Sequence, residues 1–328
     1  MKPHSSATHQ ISTVLSTPRT GIAWGLLGVL AFSFTVPLTR VAVGGLSPLF
    51  IGSGRAVIAA VFAVAALSLT RQRFPSGGQW IRLAVAAGGI VVGFPLLTSF
   101  ALTTAPASHG AVVIALLPAA TAVTAAIRGK ERPRHSFWVM AVIGAVVATG
   151  FAVLEGGGPA ELTSADLLLF GAVVAAAIGY AEGGLLAREL GAWQTVSWAL
   201  VIASPLMLTL TITAVAQQPP TGALIQWAAF AYLAVVSMFL GFFAWYRGLA
   251  IGPMAQVSQV QLIQPVLSVL WAVVLLREPL TWTTILGGIA VILCAGMAVR
   301  VRLNRPTLSS NPTGPEAKAN TVQKQPFR

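Results

Sequence analysis

Residues 253–278 read PMAQVSQVQLIQPVLSVLWAVVLLRE. The run is long and mostly apolar, yet it carries Gln256, Ser258, Gln259, Gln261, Gln264 and Ser268, with Pro265 in its middle. Amides in an apolar run long enough to cross a bilayer must meet protein, water or a solute. The chain writes this stretch twice. Pro106, Pro118 and Glu131 match Pro253, Pro265 and Glu278, and each pair is 147 residues apart. The lead-ins match too, Phe100-Ala101-Leu102 against Arg247-Gly248-Leu249. Matched landmarks at one offset are the signature of an internal repeat.

Composition sets the class. Of all residues, 56% are hydrophobic and 9% charged, and mean hydropathy is +0.81. A soluble domain carries about 25% charged residues; this chain has too few to cover a water-facing surface. A polytopic all-α membrane protein follows. Ten spans of about 20 residues are expected, roughly at 21–43, 47–70, 80–103, 105–127, 135–153, 166–187, 192–216, 224–249, 253–276 and 281–299. Runs of this length without period-two alternation exclude a transmembrane barrel. Trp24, Trp80, Trp138, Trp193, Trp227 and Trp282 fall near span ends, where the headgroup region favours indole. The lone Cys294 sits in an apolar run and offers neither a disulfide nor a cysteine metal site. The polar first twenty residues lack a signal-peptide pattern, so the first apolar run is expected to remain as a helix.

Ten spans place both termini on one side. Seventeen of the twenty Lys and Arg fall on that side. The opposite side has Arg277 and the acidic loop with Glu155, Glu161 and Asp166. The net charge of +12 is therefore read as positive-inside bias, with both termini cytoplasmic, and no nucleic-acid partner is expected. Five spans per copy reverse the second copy in the membrane. The expected layout is a tail at 1–20, a five-helix repeat at 21–153, an outer loop at 154–165, an inverted five-helix repeat at 166–300 and a disordered tail at 301–328. Inverted repeats are a transporter design with a site at the midplane between the halves.

Four stretches carry a family resemblance: Arg55 early in the second span; Ala107 to Pro133, with LLP at 116–118 and GKERP at 129–133; AYLAVVSMFLGFFAWYRGLA at 231–250; and QLIQPVLSVLWAVVLLREPL at 261–280. The chain resembles the ten-helix EamA-type transporters of the drug/metabolite transporter superfamily. The resemblance implies a bacterial inner-membrane carrier, often an exporter of amino acids or related metabolites, driven by an ion gradient or by the solute's own. One departure stands out. The family often has Glu before the ninth-span proline, where this chain has Gln264.

Several residues are candidates for the work. Ser258, Gln261, Gln264, Pro265 and Ser268 share one helical face. Amides donate and accept, so Gln261 and Gln264 suit a neutral or zwitterionic solute; the alternative is interhelical hydrogen bonding. Pro118 and Pro265 can kink their spans and free carbonyls. Arg55 could attract a solute carboxylate or clamp helix carbonyls, and the structural role is preferred. Arg40 is expected to snorkel. Glu182 could carry a coupling proton; pairing with Arg247 or Arg188 is preferred. His109 could titrate, though a satisfied histidine facing protein is preferred. Tyr180 and Trp245 could wall a cavity with a polar handle. Gly21, Gly25, Gly28, Gly89 and Gly93 have the spacing of close helix contacts.

No P-loop and no HExxH pair occur, so neither an enzyme, an ATP-driven pump, a cofactor nor a metal is expected. The rivals are a lipid-carrier or nucleotide-sugar translocator of the same superfamily, and a channel or membrane enzyme. A pyrophosphate would call for several deep basic residues, and only Arg55 qualifies.

Overall fold

The structure is a computed structural model describing residues 18–128, 135–155, 162–251, 257 and 260–303. Helices dominate, and no strand occurs among the described residues. The spans are α1 (Thr20–Ala42), α2 (Pro48–Leu69), α3 (Gly77–Ala101), α4 (Ala107–Arg128), α5 (His135–Leu154), α6 (Ser164–Leu190), α7 (Ala192–Gln217) and α8 (Leu224–Ile251), with two shorter apolar helices, α9 (Ile263–Leu276) and α10 (Trp282–Met297). All but α9, which starts at Ile263 where 253 is expected, lie within a few residues of their sequence expectation. Apolar run length decides this, because backbone groups in lipid must be satisfied within the helix itself.

Packing follows the repeat. Taking α1 to α5 as one copy and α6 to α10 as the other, α2 lies against its counterpart α7, α4 against α9 and α5 against α10. The exchanged pairs recur: α1 packs on α8 as α6 packs on α3, and α4 touches α6 as α9 touches α1. The contacts of one copy thus recur in the other, as a two-fold relation between the bundles would pair them. Small residues set the approach. A Cβ on Gly248 would sit 2.7 Å from the amide nitrogen of Gly25. One on Gly179 would sit 2.9 Å from that of Ile90, beside Gly89. Backbones this close exclude any side chain, as small-residue interfaces in membranes require. The outer surface is apolar, with Val61, Phe62, Val142, Val146, Ile212, Leu286 and Leu293 exposed on α2, α5, α7 and α10. Without a water-filled exterior to explain it, that belt is the lipid face.

The helices break where the hollow lies. Pro37 has no N–H for the carbonyl of Ser33, and α1 interrupts at Phe34. In α4 the helix turns at Ala115-Leu116, just before Pro118. Ahead of Pro265, Gln261-Leu262 form a turn and regular helix starts at Ile263. The continuous helix expected from 253 is thereby corrected: the proline resets the helix, and residues 252–256, 258 and 259 lie outside the described ones. Both copies also contain a π-helical stretch, Gly88–Gly93 in α3 and Leu233–Gly241 in α8. The repeat offset maps one onto the other. π turns concentrate at functional sites.

Candidate functional site

Two adjoining hollows lie between the repeats. One, of about 10 Å³, is bordered by Pro118 and Ile114 of α4, and by Gln261, Gln264, Pro265 and Ser268. The other, of about 20 Å³, is bordered by Arg55 from α2, Phe94 from α3, Tyr180 from α6, and Ser237, Met238 and Phe242 from α8. Gln264 and Val36 line both. Each has room for about one water molecule.

The polar groups here fall into two sets. Some are paired across the repeats. Ser268 Oγ donates to the Ser33 carbonyl at 2.7 Å, the acceptor that Pro37 leaves open. Trp271 Nε1 donates to Ser33 Oγ at 3.0 Å, and its ring stacks on Phe34 at 4.4 Å. Thr35 and Ser237 share a hydroxyl bond of 2.8 Å between α1 and α8. Others have no partner among the described residues: Nε and Nη2 of Arg55, Nε2 of Gln261 and Oε1 of Gln264. Buried polar groups are nearly always satisfied, so unpaired ones spread along these two adjoining hollows mark a place for something else.

The expected side chains distribute unevenly. Gln261, Gln264, Ser268, Pro118 and Pro265 meet at the first hollow; Arg55 and Tyr180 meet at the second. Ser258 lies outside the described residues. Trp245 does not border either hollow. It packs at the α1–α8 contact, where a Cβ on Gly28 would lie 2.9 Å from its backbone nitrogen, and its ring centroid is 6.4 Å from that of Tyr180. The carbonyl clamp preferred for Arg55 is absent among the described residues: this guanidinium is only 1% exposed and makes no hydrogen bond to them. Arg40 is the clamp instead of a snorkel. Its Nη1 donates to the carbonyls of Leu102 and Thr103, each at 2.8 Å, at the end of α3.

Charged groups close both ends. At the end that bears the termini, Glu182 of α6 accepts from Arg82 of α3 at 3.1 Å and from Arg128 at the end of α4. Arg82 also meets Glu189 at 2.6 Å. The pairing expected with Arg247 or Arg188 is made by Arg82 and Arg128, across the repeats, since α3 and α4 deliver their guanidiniums to the α6 face; Arg247 lies over the Trp24 ring at 5.7 Å. At the opposite end, His109 Nε2 and Asp166 Oδ1 are 2.6 Å apart and buried. Asp166 also completes a capping box with Thr163, and the His109 ring stacks on Phe151. Beside them, Glu278 accepts from the backbone N–H groups of Ala107 and Ser108, both at 2.8 Å. A carboxylate at a helix N-terminus satisfies orphan donors and favours the dipole. Nothing local in the sequence announces this contact: the glutamate and the helix it caps are 170 residues apart.

Comparison with known proteins identifies the fold's kin. The sequence profile of the EamA-like transporter family matches residues 19–153 and again 163–300. The chain belongs to that family. It is similar to "Uncharacterized transporter YdeK" of Bacillus subtilis (strain 168), 44% identical over 276 residues, 84% of this chain and 96% of that one. It is also similar to a "Probable terminal-alkyne amino-acid exporter" of Streptantibioticus cattleyicolor, 26% identical over 289 residues, 87% of this chain and 94% of that one. A solved crystal structure 18% identical in sequence shares the fold, with a TM-score of 0.60 over 87% of this chain and 98% of its own. This EamA-like protein is thus an integral membrane protein that handles small-molecule solutes, with eight membrane-length helices and two shorter apolar ones among the described residues.

Proposed function

We propose that this EamA-like chain is a secondary transporter that exports amino acids or related small metabolites across the bacterial inner membrane by alternating access. One observation carries the proposal: a polar-lined hollow between two inverted bundles, with ties that cross the repeats at both ends. Arg82 and Arg128 to Glu182 bind the halves on one side; His109 to Asp166 and Glu278 to the α4 N-terminus bind them on the other. Rocking one half against the other breaks one set of ties while the other set holds. The bias of basic residues toward one side supports a cytoplasmic location for both tails, 1–20 and 301–328. The exporter from Streptantibioticus cattleyicolor supports an amino-acid-like solute. The energy source is the solute's own gradient, by exchange, or a proton gradient.

The test is counterflow in proteoliposomes. Purified full-length protein is loaded with unlabelled amino acids and given the labelled compounds outside, with and without a pH gradient. Saturable uptake, accelerated by internal solute, is the expected result. Uptake that rises linearly with concentration indicates a channel, and no uptake of any amino acid removes the proposed solute class.

A further inference from the structure

We propose that Arg55 and Gln264 form a recognition site for solutes bearing a free carboxylate next to an amine and an apolar side chain. The proposal rests on the transporter reading above and names its solute chemistry.

Arg55 is the starting point. Its guanidinium is buried, and Nε and Nη2 have no partner among the described residues. A fixed charge in such surroundings is costly unless an anion compensates it. Four acidic side chains, Asp166, Glu182, Glu189 and Glu278, are engaged elsewhere. Asp166 is held by His109 and Thr163. Glu182 is held by Arg82 and Arg128. Glu189 binds Arg82 and Gln79, and Glu278 caps α4. With those four engaged, a solute carboxylate can supply the compensating charge. A guanidinium matches a carboxylate through two parallel N–H donors. Its single positive charge suits a monoanion; a phosphate dianion would leave charge unmatched.

Gln264 supplies the second half. Its Oε1 is buried without a partner, and it borders the same hollow as Arg55. An amide oxygen is an acceptor, so it can take an N–H of a solute ammonium group. Unpaired donors and an unpaired acceptor thus line one space, which is the pattern of a zwitterion. The remaining wall is mostly apolar, with Phe32, Ile90, Phe94, Met238 and Phe242, and carries the hydroxyls of Thr35, Ser237 and Tyr180, the first two bonded to each other. That wall accepts an uncharged side chain and offers no counter-charge to a charged one. Binding pockets of this make-up orient a ligand with a few polar groups and hold it by its apolar surface.

A matched trio of probes tests the proposal: L-norvaline, L-norvalinamide and pentanoate. They share the carbon skeleton and differ in carboxylate and amine. The first readout is the thermal unfolding midpoint of purified full-length protein, which rises with any ligand that binds the folded state. L-norvaline is expected to raise it, pentanoate to raise it less, and norvalinamide to leave it unchanged. Arg55→Gln should abolish both rises, Arg55→Lys should keep a reduced one, and Gln264→Ala should erase the margin of norvaline over pentanoate. Norvalinamide stabilising the wild type as strongly as norvaline overturns the proposal, as does the absence of any rise with either acid. These comparisons use wild-type protein, so they stand even if Arg55→Gln does not fold. Counterflow with the same probes separates the two readings. Equal transport of acid and amide keeps the carrier and removes the Arg55 site. No transport of any probe or amino acid removes the carrier reading itself.

Discussion

At the scale of single residues, the hollow is defined by side chains whose hydrogen bonds are incomplete. Gln261 and Gln264 each keep an unpaired polar atom. Replacing either by Ala should lower counterflow about five- to tenfold, the size of one lost hydrogen bond, while thermal stability stays near wild type. Wild-type rates in both variants would dismiss this face. The opposite behaviour is expected of Gly89. A Cβ there would meet the α6 backbone, 2.8 Å from Gly179 Cα. Gly89→Leu should therefore cost about 1–3 kcal/mol by overpacking, read as a lower midpoint of thermal unfolding; an unchanged midpoint would show that α3 and α6 can separate freely. The glutamine face was legible in sequence, because helical periodicity alone gathers Gln261, Gln264 and Ser268. The solitude of Arg55 was not. Whether a buried cation finds a partner depends on chains that fold in from elsewhere, and the expected carbonyl clamp is absent among the described residues.

At the scale of elements, the spans are joined by ties that belong to different helices and different copies. Glu182→Gln keeps the shape of the side chain but removes the charge that holds Arg82 and Arg128. Glu278→Gln does the same at the N-terminus of α4. In a Cys294→Ser background, a cysteine at Ser268 should react faster with a membrane-impermeant maleimide added on the terminal side in Glu182→Gln, and faster from the opposite side in Glu278→Gln. Equal rates from both sides in both variants would mean that these contacts are not gates. Glu182→Gln should also leave the pH dependence of counterflow unchanged, since the carboxylate serves as a tie; loss of that dependence would make Glu182 the proton carrier. Span ends were readable from apolar length, and the breaks at Pro118 and Pro265 from the missing N–H. The break at Phe34 could have been found from Pro37, which withholds a donor from Ser33. The π-helical stretches had no such signal. An extra residue in a turn is tolerated by packing from neighbouring helices, and no residue type writes it into the chain.

At the scale of the molecule, the two-fold relation between the halves explains why equivalent devices recur at opposite ends. It was legible from the 147-residue offset alone, because a shared spacing of prolines and glutamates survives where local similarity fades. Its direct check is topological. Single cysteines at Lys130 and Arg277, with Cys294 replaced by Ser, should label from opposite sides of the membrane. Labelling from the same side would refute the inverted threading. The paired π stretches, Gly88–Gly93 and Leu233–Gly241, have a mechanical corollary. A π turn stores one residue of slack, and rewinding it into an α turn rotates everything beyond it by roughly 100° about the helix axis. Phe94 and Phe242 stand immediately beyond these two stretches. Rewinding either stretch would therefore swing an aromatic ring that lines the hollow without bending the rod that carries it.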